Sequence, residues 1–137
     1  MKRIARIGAY LGVTAGLVVN AVIHVRLAST CDAVVGTLVT QGDLFRIQSI
    51  ACIVAAIAVV AFRRWWVTAL AGALALGGLV LVVASTAVLI DGTVVGLPVL
   101  FEPVWYPDKV AAAVAQGVAL VAAFALSATH RRRPESS

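Results

Sequence analysis

Four apolar runs, each close to the length of a membrane span, restrict what this chain can fold into. They cover residues 7–27, 44–62, 65–90 and 110–128. A helix needs about 20 apolar residues to cross a hydrocarbon core of about 30 Å, so each run is long enough for one transmembrane helix. The runs do not alternate apolar and polar residues as the strands of a membrane β-barrel do. We therefore predict an all-α bundle of four transmembrane helices in a single domain.

The composition agrees with a membrane location. Of the 137 residues, 62% are hydrophobic and 12% are charged, whereas soluble domains contain roughly 45–50% apolar and about 25% charged residues. The first run follows a basic start, as in a secretory signal, but the apolar core of a signal is only about 7–15 residues long. His24 and Arg26 also lie where cleavage needs small residues. We expect this run to be retained as a span.

The basic residues favour one orientation across the membrane. Eight of them fall on one side of a four-span arrangement: Lys2, Arg3, Arg6, Arg63, Arg64, Arg131, Arg132 and Arg133. The other side receives three basic residues and five of the six acids. Since cytoplasmic flanks are enriched in Lys and Arg, we predict that both termini are cytoplasmic. The net charge of +5 then reflects topology and contacts with anionic lipid, and we predict no nucleic-acid binding. Residues 131–137 are predicted to form a disordered tail.

The first run carries small and polar residues at four-residue spacing, namely Gly8, Gly12, Gly16, Asn20 and His24. This spacing places all five residues on one face of a helix. Glycines allow helix backbones to approach closely in a membrane. We therefore predict that the three glycines pack against a second helix, either within the bundle or between protomers.

Each predicted span also carries a polar side chain at a similar depth. At a rise of about 1.5 Å per residue, Asn20, Gln48, Ser85 and Gln116 lie roughly 6 to 10 Å below the outer ends of their spans. Polar side chains at this depth are costly unless they are paired or face a cavity. The pattern leaves two alternatives open, which are a closed hydrogen-bond network and a small pocket that opens to the outer side.

Further candidate ligand-binding residues lie nearer the outer surface. They are His24, Arg26, Arg46, Glu102, Trp105 and Tyr106. His24 can titrate near neutral pH or contact a quinone or headgroup oxygen, or it can bond to a neighbouring acid such as Asp32 or Glu102. Arg26 and Arg46 can pair with outer acids or hold a lipid phosphate.

The segment between the third and fourth runs is unusually apolar for a loop. Pro98, Pro103 and Pro107 prevent a continuous helix there. Trp105 and Tyr106 have the amphipathic character that suits a membrane interface. We predict a structured apolar outer loop that lies in the interface or covers the bundle as a lid.

The sequence offers few groups for catalysis. Cys31 and Cys52 differ in predicted depth, so we do not expect a disulfide between them. His, Cys and acidic residues lack the spacing of a metal site, and we predict no metal ion and no catalytic residue. No motif indicates a cofactor, whose identity stays unknown. A smaller expectation concerns Asp43, which is predicted to cap the second helix.

Three motifs give the chain a resemblance to a known group of proteins. They are HxRLA at the end of the first span, LFRIQ at the start of the second, and PxxFEPxWYPDK in the long loop. With these motifs the chain resembles small four-span membrane proteins of high-GC bacteria that are loosely DoxX-like. The resemblance implies the four-span arrangement in a bacterial plasma membrane, and it assigns no functional residue.

The sequence favours a function without catalysis. We predict an accessory or binding protein whose polar outer-leaflet site takes a lipid, a quinone or a partner subunit. One alternative is a small transporter or channel that works as an oligomer, and another is a quinone-linked membrane redox protein. The lipid bilayer is the partner that the composition implies directly. A homo-oligomer or a larger membrane complex is a further possibility.

Overall fold

The structure is a computed structural model that describes residues 2–131, without the side chains of the last two of them. Four helices account for most of this part of the chain: α1 (Lys2–Cys31), α2 (Gln41–Phe62), α3 (Trp65–Ala87) and α4 (Pro107–Arg131). All four are long and apolar enough to cross a membrane. The predicted all-α four-helix bundle is therefore confirmed. The predicted disordered tail began at residue 131, but Arg131 is the last residue of α4. The rest of that tail, residues 132–137, lies outside the described residues.

Small side chains fill the centre of the bundle, and large apolar side chains cover its outside. The buried alanines of the core are Ala21, Ala56, Ala71, Ala75, Ala119 and Ala123. By contrast, Leu11, Ile50 and Phe124 are 64%, 65% and 76% exposed. Soluble proteins rarely expose large contiguous apolar surfaces, whereas lipid tails solvate them readily. Together with the four apolar helices, this distribution shows that the chain is a multi-pass integral membrane protein.

The helices are antiparallel neighbours with unequal packing. α1 packs closely along both α2 and α4, and α3 packs along α4. α2 and α3 pack less closely, although they are joined by a short turn at Arg63, which has a left-handed conformation with φ 48°. We call the end of the bundle that contains this turn the turn end. The opposite end is called the loop end.

Two of the three glycines of α1 lie against α4. A Cβ at Gly16 would be 2.6 Å from the backbone oxygen of Ala115 and 2.9 Å from the Cβ of Ala119. A Cβ at Gly12 would be 3.0 Å from the Cβ of Ala122. Gly8 differs, because nothing lies within 4 Å of the position that its Cβ would take. Of the three glycines predicted to pack, Gly12 and Gly16 therefore make the close approach to α4, and Gly8 does not.

The start of α2 differs from the prediction that Asp43 caps it. Thr40 is the N-cap residue, and its Oγ1 accepts a hydrogen bond from the backbone N–H of Asp43 at 3.0 Å. The carboxylate of Asp43 in turn accepts from the backbone N–H of Thr40 at 3.0 Å. This reciprocal pair is a capping box, which satisfies two backbone donors that a helix start leaves free. Asp43 therefore lies at the predicted helix start, but at the third helical position and not at the cap.

Two structured segments close the loop end. The longer one contains the short strands β1 (Ile90–Asp91) and β2 (Val99–Leu100), which pair in antiparallel fashion. α3 ends at Ala87 and Ile90 belongs to β1, so the helix is shorter than the predicted span 65–90. The shorter segment joins α1 to α2, and the N–H of Leu38 donates to the carbonyl of Gly96 in the longer one at 2.9 Å. The two segments thus form one cover over the bundle.

Candidate ligand-binding cavity

A cavity of about 370 Å³ lies between α2 and α3 in the half of the bundle next to the loop end. Its helical walls are mostly apolar and include Leu44 and Phe45 of α2 and Val82 of α3. The longer loop segment forms its roof through residues such as Pro98 and Phe101. Small-molecule sites typically measure about 300–1,000 Å³ and have mainly apolar walls. The cavity is therefore large enough for the head and first part of a lipid.

The cavity has an apolar rim on the outside of the bundle. Ile47 of α2 and Leu81 of α3 belong to the lining, yet they are 58% and 51% exposed. In a transmembrane bundle, an exposed apolar side chain at this depth faces lipid. The lining of the cavity therefore reaches the lipid-facing surface between α2 and α3.

The polar part of the lining comes from every helix and from the roof. Its members are His24, Gln41, Gln48, Ser85, Glu102, Tyr106 and Lys109. Five of them, all except Gln41 and Lys109, are among the site residues predicted from the sequence. The structure thus brings together side chains that are widely separated along the chain.

His24 is held by its own helix. Its Nδ1 lies 2.9 Å from the carbonyl oxygen of Asn20, and because a carbonyl can only accept, Nδ1 carries the proton. In the neutral imidazole the other nitrogen, Nε2, is then an acceptor. The ring also packs edge-on against Phe45, with the centroids 4.8 Å apart. The alternative in which His24 bonds to a neighbouring acid differs from the structure, where Asp32 pairs with Arg46 and Glu102 pairs with Tyr106 and Lys109.

Glu102, Tyr106 and Lys109 form a second polar group at the roof. The hydroxyl of Tyr106 donates to Oε1 of Glu102 at 3.2 Å. Nζ of Lys109 donates to the backbone oxygen of Glu102 and lies 3.8 Å from its Oε2. Burial and the neighbouring Glu102 carboxylate raise the pKa of Tyr106, so its phenol stays protonated at neutral pH. The positive charge of Lys109 is opposed by the negative charge of Glu102.

Asn20 and Gln116 form a buried network behind the cavity. Nε2 of Gln116 donates to Oδ1 of Asn20 at 3.1 Å, and Nδ2 of Asn20 donates to Sγ of Cys52 at 3.3 Å. Gln48 approaches the same sulfur at 3.8 Å. Both glutamine amides reach Gly78, where a Cβ would be 2.5 Å from Nε2 of Gln116 and 3.0 Å from Nε2 of Gln48. Since Gly78 and Gln48 also line the cavity, the network and the cavity adjoin each other.

The four polar side chains of the spans therefore divide between a hydrogen-bond network and a pocket, the two alternatives that the sequence leaves open. Asn20 and Gln116 are 0% and 1% exposed and pair with each other. Gln48 and Ser85 face the cavity. Ser85 uses its hydroxyl proton on its own helix, because Oγ donates to the backbone oxygen of Val82 at 3.1 Å.

Besides Asn20 and Gln116, which lie behind the cavity, three predicted site residues do not line it. Arg46 binds Asp32 at 2.7 Å and Asp43 at 3.1 Å, and its hydrogen bonds lower the pKa of Asp32. Arg26 is exposed on α1. Trp105 is 46% exposed. It contacts the cavity residue Lys109, whose Nζ lies 5.2 Å from the centroid of the Trp105 ring.

Lys109 is the main cavity residue that sequence reasoning missed. It is only 3% exposed and lies in the first turn of α4. The N-terminal end of a helix has positive polarity, so a lysine is unfavourable there unless it has a specific partner. Its position at a helix start, shortly after Glu102, was the signal that could have identified it.

Comparison of the chain with protein-family models, curated proteins and solved structures gave no match. The resemblance to DoxX-like proteins accordingly stays a prediction.

Both cysteines are free. Among the side chains of residues 2–129, no three His, Cys, Asp or Glu groups gather closely enough to hold a metal ion. The function of the cavity must therefore be inferred from its own geometry.

Proposed function

We propose that this membrane protein binds one amphipathic molecule, which enters the cavity laterally from the lipid next to the loop end. The observation that supports the proposal is the form of the cavity. It combines an apolar, lipid-facing opening at Ile47 and Leu81 with polar groups from α1, the roof and the start of α4. An amphipathic molecule fits this division, since its tail leaves through the opening while its head meets the polar groups.

Binding is favoured over conduction because an apolar core separates the cavity from the turn end. Val13, Leu17, Val59 and Leu126 are each at most 1% exposed and belong to one core cluster. This core lies between the cavity and the turn end. A second cavity of about 350 Å³ lies between α3 and α4 near the turn end, and most of the described residues that line it are apolar. A transporter or channel would need a path formed between protomers. Gly8 offers an open surface for such a contact, because nothing lies within 4 Å of the position that its Cβ would take.

The proposal predicts that filling the cavity removes a retained ligand. In Val82→Trp, an indole added to the cavity wall should reduce the amount of copurifying lipid by about tenfold or more, which corresponds to about 1.4 kcal/mol of binding free energy. The measurement is native mass spectrometry of the full chain released from mild detergent, with lipid extraction to identify what is bound.

Val83→Trp is the matched control. Val83 is the next residue of α3 but is 50% exposed and is not part of the lining. This variant should retain the ligand at the wild-type level. Equal retention by Val82→Trp and Val83→Trp would contradict a binding role for the cavity.

We also propose that the loop end faces the outside and that both termini are cytoplasmic. The turn end carries Arg63 and Arg64, whereas Asp32 and Asp91 lie at the loop end. Basic residues concentrate on the cytoplasmic side of membrane proteins. The cavity then opens to the outer half of the bilayer.

Cysteine labelling tests this orientation. An impermeant maleimide applied to intact cells should label Val94→Cys, whose site is 95% exposed at the loop end. Ile4→Cys, whose site is 75% exposed at the other end, should react only after permeabilisation. Background should be low because Cys31 and Cys52 are 9% and 0% exposed. The reverse pattern of labelling would overturn the orientation.

A further inference from the structure

We infer that a phospholipid with an anionic head group binds at the turn end, with one acyl chain in the second cavity and its phosphate at Arg63 and Arg64. This site is separate from the one in the proposed function. On α3 the second cavity is lined by residues 68–72, whereas the first cavity is lined by residues between 78 and 85. The two cavities therefore lie in opposite halves of the bundle.

The second cavity has the size and the walls that an acyl chain requires. Its volume is about 350 Å³, and the small residues Ala69 and Gly72 form part of the wall on α3. On the α4 side the ring of Phe124 contributes to the lining and is 76% exposed. Because Ala69 is exposed as well, the cavity opens to the surrounding lipid. Van der Waals packing stabilises an apolar chain in such a recess.

The start of α3 lies at the depth of lipid head groups. Trp65 and Trp66 are 50% and 46% exposed there, and tryptophan is enriched at membrane interfaces. Thr68 lines the cavity, and its Oγ1 donates to the backbone oxygen of Arg64 at 3.2 Å. At the rise of a helix, the edge of the cavity is then roughly 6 Å deeper than Arg64. One phospholipid can therefore reach both features, with its head at Arg64 and its tail in the cavity.

The charges at the turn end are complementary to an anionic head group. Arg63 and Arg64 are exposed, and neither forms an ion pair with an acid among the side chains that the structure describes. Five of the six acids lie at the loop end, where Arg46 has two carboxylate partners. A guanidinium group matches the geometry of a phosphate. A lipid phosphate would thus supply the counter-charge that the described part of the turn end does not contain.

A second copy of the chain is a less suitable occupant of the cavity. Copies in one membrane share the same orientation, and a symmetric dimer uses the same surface of both copies. A dimer through this face would therefore bring Arg63 and Arg64 of both copies together at the same depth. Like charges repel each other, whereas an anionic lipid neutralises them.

The test is a titration of the purified full chain in mild detergent with two lipids, followed by native mass spectrometry. Dioleoyl phosphatidylglycerol and dioleoyl phosphatidylcholine share the same tails, and only the first has a net negative head. We expect phosphatidylglycerol to bind at a concentration about tenfold or more below that of phosphatidylcholine. Equal binding of the two lipids by the wild type would overturn the anionic head group.

The double variant Arg63→Gln with Arg64→Gln tests the head-group contact. It should bring the ratio of the two affinities towards one, because the phosphate loses both guanidinium partners. Arg3→Gln with Arg6→Gln is the matched control, since it removes two exposed charges from α1, which has few contacts with α3. The control should keep the wild-type ratio. Equal effects of the two double variants would show that net charge, and not this site, attracts the lipid.

Ala69→Phe tests the tail site. The added ring fills the cavity from an exposed position, so it should weaken the binding of both lipids by about tenfold without disturbing the core. Ala73→Phe is the control, because Ala73 is also exposed on α3 but is not part of the lining. It should bind both lipids as the wild type does. Unchanged binding by Ala69→Phe would exclude the second cavity as the site.

Two further outcomes separate this site from its alternatives. Val82→Trp fills the first cavity and should leave the binding of phosphatidylglycerol at the wild-type level. If Val82→Trp abolishes that binding, the lipid occupies the first cavity and the second site is overturned. If the wild type binds neither lipid and is a dimer that Ala69→Phe converts to a monomer, a second copy occupies the cavity instead.

Discussion

Replacing Gly16 with alanine is expected to lower the free energy of unfolding by about 1–3 kcal/mol, the usual cost of adding volume to a well-packed core. The added Cβ would lie 2.6 Å from the backbone oxygen of Ala115 and 2.9 Å from the Cβ of Ala119. These neighbours belong to the backbone and first side-chain atom of α4, so only a shift of the whole helix can relieve the contact. Unfolding is measured by titrating the micelle-solubilised protein with sodium dodecyl sulfate and following the far-ultraviolet circular dichroism.

Gly8→Ala provides the control on the same helix face. Nothing lies within 4 Å of the position that its Cβ would take. Since glycine inside a helix is less stable than alanine by roughly 0.5–1 kcal/mol, this variant should be neutral or slightly more stable than the wild type. A similar loss in both variants would show that the crossing of α1 and α4 does not determine the effect.

Asn20→Leu is expected to lower the free energy of unfolding by about 1–3 kcal/mol, because it leaves buried polar groups without partners. Asn20 is 0% exposed and links α4, through Gln116, to α2, through Cys52. Removal of its amide leaves Nε2 of Gln116 without this acceptor. Oε1 of the same glutamine already has no hydrogen-bond partner among the described residues.

A double-mutant cycle measures how much the hydrogen bond between Asn20 and Gln116 contributes to stability. Gln116→Leu alone should also destabilise the bundle, whereas Asn20→Leu with Gln116→Leu should cost less than the sum, with a coupling of about 0.5–2 kcal/mol. Gln48→Leu should have a smaller effect, because its contact with Cys52 is 3.8 Å long and only partly buried. Strict additivity of Asn20→Leu and Gln116→Leu would show that their hydrogen bond does not stabilise the fold.

The buried network also bears on the binding proposal through Gly78. This glycine allows two glutamine amides to meet at the floor of the cavity. Loss of the network is therefore expected to disturb the floor, whereas filling the cavity with Val82→Trp leaves the network untouched. Comparing stability with ligand retention across these variants distinguishes damage to the bundle from damage to the site.

Several parts of the site could be predicted from residue type and depth. His24, Gln48 and Ser85 were found because polar side chains are conspicuous in apolar runs, and all three line the cavity. The roof was also foreseen, since the prolines and aromatic residues of the long loop require a structured, apolar segment. Lys109 was missed because its charge resembled an ordinary surface charge at a helix start. Its burial depends on the approach of Glu102 and Trp105.

The sequence by itself determined the number of helices and their membrane-spanning character. Lipid offers no hydrogen bonds to the backbone, so each apolar run must satisfy its own backbone as a helix, and this requirement is local. Only the tertiary structure decided which polar groups meet, because Asn20 and Gln116 are 96 residues apart and their pairing depends on the close crossing of α1 and α4. It also decided that α2 and α3 separate near the loop end, since the shape of a gap depends on how whole helices pack and not on any one run.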